Sequence, residues 1–99
     1  MNQIVNKKML RSSNPLKFYS DPGHGWLAVK KEDVELLNLE ISPFSYQKGK
    51  TVYLEEDCDA SKFLDAYFKY TEIDPQSYKC DERSCNGSSP IRGYEKYSK

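Results

Sequence analysis

The stretch Phe44–Tyr70, FSYQKGKTVYLEEDCDASKFLDAYFKY, changes its apolar period from two to nearly four in mid-run, and that change decides the fold class. In its first half, Phe44 and Tyr46 lead into Lys48-Gly49, and Thr51, Val52, Tyr53 and Leu54 lead out. β-Branched and aromatic side chains fit a pleated surface, so this half predicts a hairpin over 44–54. In its second half, Ala60, Phe63, Leu64, Tyr67 and Phe68 fall at i, i+3, i+4, i+7 and i+8. That spacing makes one apolar face on a helix over 59–70, with Asp59 as its N-cap.

Upstream, Leu16–Ser20 alternates, with Leu16 and Phe18 on one side and Lys17 and Tyr19 on the other. Trp26–Val29 is a short apolar run. Asp21-Pro22-Gly23-His24-Gly25 lies between them, where proline presets φ and glycine allows a left-handed residue, so a second hairpin is expected. Lys31–Leu39 reads as a short helix with Glu32 and Asp33 at its positive end, stopped by Ser42-Pro43. Residues 71–90 read as an irregular loop, and 91–97 as a closing strand. The chain is thus expected to be α+β: a mainly antiparallel sheet of two hairpins plus a C-terminal strand, covered by one principal and one short helix. Residues 1–15 are expected to be a loose arm and 16–99 one domain. Trp26 is expected to face the principal helix, leaving His24 and Gly25 at an exposed tip.

With 15 basic and 15 acidic residues, the chain has no global field to steer it to nucleic acid or an anionic membrane. Its 37% apolar content is below the usual ~45–50%, and eight Tyr, four Phe and one Trp make up the packing. No segment approaches a membrane span. Met1–Ser13 lacks the apolar core of a secretory signal, and three cysteines suit reduced thiols, so a cytoplasmic protein is expected.

No catalytic constellation stands out. His24 is the single histidine, and a His/Cys-dependent enzyme would pair it with Cys58. Cys80 and Cys85 have a spacing some zinc sites use, but closure would need Cys58 and His24 as well, so no metal and no cofactor is expected. Free thiols or a Cys80–Cys85 disulfide are the remaining readings. Glu55, Glu56, Asp57 and Asp59 crowd one strand-to-helix junction. They read as a helix cap or as an acidic surface that imitates phosphates and engages a basic groove. The contact set so defined is Glu55, Glu56, Asp57, Tyr53, His24 and Trp26. An alternative nucleic-acid set is Lys7, Lys8, Arg11, Arg92 and Lys96, with tyrosines interleaved for stacking.

Asp21-Pro22-Gly23-His24-Gly25-Trp26-Leu27 and the charged helix after it resemble small uncharacterised accessory proteins of bacteriophages and other mobile elements. Ser45–Gly49, Tyr53–Asp59 and Ile91-Arg92-Gly93-Tyr94 share the resemblance, which covers about residues 16–70 and 91–97. It implies no catalytic residue. It does imply a context: accessory phage genes of this size often encode stoichiometric inhibitors of host machinery, anti-CRISPR proteins among them. The expected function is therefore inhibition of a host defence complex, protein or ribonucleoprotein, by direct contact. A nucleotide- or nucleic-acid-binding module is the alternative, and a homodimer is left open.

Overall fold

The computed structural model describes residues 9–99. Lys7 and Lys8 lie outside the described residues. The elements are β1 (Lys17–Ser20), β2 (Gly25–Lys30), α1 (Lys31–Leu36), β3 (Tyr46–Lys48), β4 (Thr51–Glu55), α2 (Ala60–Thr71), β5 (Asp81–Ser84) and β6 (Glu95–Lys96). Two short 3₁₀ turns, Pro75–Ser77 and Pro90–Gly93, precede β5 and β6. The six strands form one sheet in the order β5-β1-β2-β4-β3-β6. The fold is α+β, with a main helix and a short one.

Both hairpins form: β1 pairs β2, and β3 pairs β4, each antiparallel. The expected plan of two hairpins and a closing strand still needs correction, because β5 joins β1 in parallel and makes the sheet mixed. A parallel partner requires a crossover. Here α2 provides it, taking the chain from β4 over the sheet to the far edge. Tyr78 fixes the landing point: its ring meets Tyr67 and Phe68 of α2, and its hydroxyl accepts from the Leu16 amide at 2.7 Å. The segment 71–90 is accordingly not an uninterrupted loop. The closing strand is only Glu95–Lys96, because Pro90–Gly93 turns before it. α1 also ends early, at Leu36, with Asn38 left-handed just beyond it.

The core lies between the sheet and α2. Leu27 and Val29 of β2 and Val52 and Leu54 of β4 meet Phe63 and Tyr67, joined by Leu16 and Val34. Phe18 packs against this cluster from β1, and Leu64 and Phe68 from α2. Side chains alternate along a strand, so Trp26, aligned with Tyr19 and Glu55, belongs to the opposite face. The expectation that Trp26 faces the helix is corrected by that register. Gly25 is buried rather than at a tip, because the Phe18 ring occupies the space its Cβ would need.

Two buried carboxylates tie the connections down. Asp33 of α1 accepts from the Arg11 and Ser12 amides at 2.7–3.0 Å and from the Ser12 hydroxyl at 2.6 Å. Residues 11 and 12, the described end of the expected loose arm, are thereby anchored, and Leu10 packs against the core. Asp59 does precede α2, yet its side chain caps nothing there. It accepts instead from the Ser42 amide and from the Ser42 and Ser45 hydroxyls, at 2.6–3.1 Å. Burial pushes its carboxyl pKa up, but these donors outweigh burial and the net effect is a lowered value.

Among the described residues no helix is long and apolar enough to cross a membrane.

Two substitutions test this account. Gly25→Ala drives a methyl into the Phe18 ring and is expected to destabilise by about 1–3 kcal/mol in chemical denaturation. Asp59→Ala strands three donors and is expected to cost about 2–4 kcal/mol. A loss under ~1 kcal/mol for Asp59→Ala would mean that its network is not structural.

Candidate functional site

The turn Asp21–Gly25 is held from both ends of the chain. Asp21 Oδ1 accepts from the Gly23 and His24 amides at 3.0 and 2.9 Å, closing the turn on itself. The same carboxylate receives Arg92 through two parallel bonds, Nε at 2.7 Å and Nη2 at 2.8 Å, and the Ser89 amide at 2.8 Å. Its side chain is 1% exposed. The Arg92 guanidinium, then the Ser89 amide, hold the Asp21 carboxyl far below the ordinary carboxylate range against the opposing effect of burial. Arg92 also lies over the Trp26 ring, 5.4 Å from its centroid. The planar fork of Arg suits this double duty, which a lysine would not reproduce.

Trp26 is fully buried as the floor of this region, with His24 and Tyr46 edge-on at 5.8 and 6.4 Å. Its indole N–H has no hydrogen-bond partner among the described residues. His24 Nδ1 donates to the Gly23 carbonyl at 2.6 Å, since a carbonyl can only accept. Its Nε2 lies 3.6 Å from Glu55 Oε2, an ion pair only when the ring is charged.

A groove of about 270 Å³ opens beside this floor, lined by His24, Phe44, Asp57, Cys58, Arg92 and Lys96 together with Tyr46 and Glu55. Phe44 stands 61% exposed at its side.

The expected contact set is only partly assembled here. His24, Glu55 and Asp57 line the groove, while Glu56 is exposed nearby in sequence. Glu55 is buried and accepts from the Asp57 and Cys58 amides at 3.0 and 2.9 Å, so it closes the turn after β4. Trp26 is covered. Tyr53 sits elsewhere, between Tyr19 and Tyr94 on the open face of the sheet. The alternative basic set is divided. Arg92 and Lys96 line the groove, while Arg11 faces Glu32 at 3.9 Å beside α1.

Burial first, then the Glu55 hydrogen bond and the charges of Glu55, Asp59 and Asp57, push the Cys58 thiol up, away from the thiolate a nucleophile needs. Cys58, Cys80 and Cys85 are all free thiols. Among the described residues no three His, Cys, Asp or Glu side chains converge as a metal site. Sequence reasoning missed Phe44 as a groove residue, because the hairpin expected over 44–54 includes it, whereas the strand begins only at Tyr46. It also missed Arg92 as the partner of Asp21, for which a separation of 71 positions leaves no local signal.

No protein-family model matches the chain, and no curated protein or solved structure does either.

The Asp21–Arg92 clasp has a pH signature. Because the folded carboxyl titrates below its unfolded value, its stabilisation is complete above about pH 4 and fades as pH falls further. Asp21→Asn is therefore expected to lower Tm at pH 7, with the gap to the native chain narrowing below pH ~4. An equal gap at both pH values, by circular dichroism melts, would contradict the clasp.

Proposed function

We propose that this chain is a small binding protein that inhibits a host defence complex by stoichiometric contact, in the manner of anti-CRISPR inhibitors. The observation that carries the contact reading is Phe44: a large apolar ring, 61% exposed, beside a groove of mixed charge whose walls are fixed by hydrogen-bonded carboxylates. Exposed aromatics on a rigid rim are the groups that anchor protein interfaces, and preorganised walls reduce the entropy lost on binding. Asp57 and Glu56 supply the acidic part of the contact, and Arg92 and Lys96 a basic margin. The resemblance to phage accessory proteins supplies the partner class, a host protein or ribonucleoprotein complex.

Binding is favoured over a His/Cys enzyme by the upward shift of the Cys58 thiol, which opposes thiolate formation, and by the orientation of His24. One ring nitrogen of His24 is committed to a backbone carbonyl and the other faces a carboxylate. Neither arrangement activates a nucleophile.

The test is expression in a bacterium whose defence system blocks a phage, alongside affinity capture. The native chain is expected to restore phage plating and to retain a defence component. Phe44→Ala and the pair Glu56→Lys/Asp57→Lys, all at exposed positions, are each expected to weaken capture by about 30-fold, the loss of an interface hot spot. Unchanged plating with the native chain, or capture indifferent to both variants, would overturn the proposal.

A further inference from the structure

We propose that the open face of the sheet is a second binding surface, one that takes single-stranded nucleic acid. It does not rest on the groove at Phe44 and uses different residues.

Strand register places the residues that make it. Lys17 and Tyr19 of β1, Lys30 of β2 and Tyr53 of β4 all point away from the core, because their sequence neighbours Phe18, Val29, Val52 and Leu54 point into it. Lys48 of β3, opposite Thr51, shares that face, and its ammonium lies 4.8 Å from the centroid of the Tyr94 ring. The tyrosines form a continuous row. Tyr19 and Tyr53 are 6.1 Å apart edge-on, and Tyr53 and Tyr94 are 5.2 Å apart and tilted. All three are half-exposed. They border an open cleft of about 340 Å³ that Pro90 and Ile91 also line. A second cleft, about 180 Å³, continues from Tyr19 and Tyr53 to Lys17 and Lys30.

Charge decides the occupant. The chain is neutral as a whole, yet this face is not. Among the described residues, the carboxylates that strand alternation places on it are Glu55, which is buried, Asp21, which Arg92 holds, and Asp81, which Arg83 holds with two bonds at 2.9 and 3.2 Å. Lys17, Lys30 and Lys48 are the outward lysines around the tyrosine row, and Lys96, opposite Tyr46 on the same face, stands at the groove. Flat rings flanked by cations match a strand of unpaired bases joined by phosphates: the bases stack on tyrosine, and the lysines take the backbone. A duplex keeps its ring faces inside its own stack and cannot offer them.

The experiment is fluorescence anisotropy with the full chain and labelled 20-nucleotide dT and rU strands, with the matching duplex as competitor. Binding of either strand is expected, and their ratio reports which sugar is preferred. With three lysines on phosphates, affinity is expected to fall about 20-fold between 50 and 200 mM salt, from about −0.7 in the log–log slope per contact. Tyr19→Ala and Tyr53→Ala are each expected to weaken binding by about 5- to 150-fold. Lys17→Glu/Lys48→Glu, which leaves the core untouched, is expected to abolish it, while Phe44→Ala leaves it unchanged. Melting curves confirm that each variant is folded. Absence of binding to both strands at low salt would overturn the proposal. So would a duplex that competes equally while the tyrosine variants bind normally, since that is attraction to phosphate alone.

Discussion

A carboxylate taken out of water must be surrounded by donors, and in this chain that requirement organises most of the connections around the sheet. Asp21, Asp33, Glu55 and Asp59 all have side chains almost wholly shielded from solvent. An unpaired buried charge is too costly to persist in a small domain. Each carboxylate is therefore saturated, mostly by backbone amides and serine hydroxyls from segments without regular structure. Asp33 gathers residues 11 and 12, Asp59 gathers 42 and 45, Glu55 closes the turn at 57 and 58, and Asp21 joins its own turn to residues 89 and 92.

The consequence is a domain in which several irregular segments are tied to buried side chains. The apolar core is narrow and lies on one side of the sheet, against α2. Among the described residues nothing comparable covers the other side, where a row of tyrosines, lysines and one buried tryptophan meets Ser12 and Ser13 at one end and the return of the C-terminal segment at the other. Asp21 and Arg92 pin that return, and in doing so they shape both surfaces proposed to bind. Arg92 lines the groove at Phe44, while its neighbours Pro90, Ile91 and Tyr94 border the tyrosine cleft. Rigidity of this kind suits recognition, because little ordering is left to be done on contact.

What could be read from the sequence was whatever repeats within a few residues. The i, i+3, i+4 pattern of Ala60, Phe63, Leu64, Tyr67 and Phe68 gave α2 to within a residue at each end, and the alternation at 16–20 and 51–54 gave β1 and β4. β5 was hidden because Asp81-Glu82-Arg83-Ser84 has no apolar alternation; it is an edge strand, half-buried at Asp81 and exposed beyond it. Asp59 was placed correctly before α2 but for a local reason, since a cap is the local role of such a residue, whereas its actual partners lie 14 and 17 positions upstream. The same limit governs the sites. That Lys17 and Tyr19 share a side was visible in β1 alone. That Tyr53, Lys30 and Lys48 join them depends on strand order and register, which no local pattern specifies.

The carboxylate account is tested most directly by amide hydrogen exchange on the native chain. The amides of Ser12, Ser42 and Ser89 lie in segments without regular structure, and each donates to a buried aspartate. They are predicted to exchange as slowly as the strand amides of Leu27 and Val52, because releasing them would leave a charge unpaired in the interior. Exchange of all three at the rate of free loop amides, with the strand amides still protected, would contradict it.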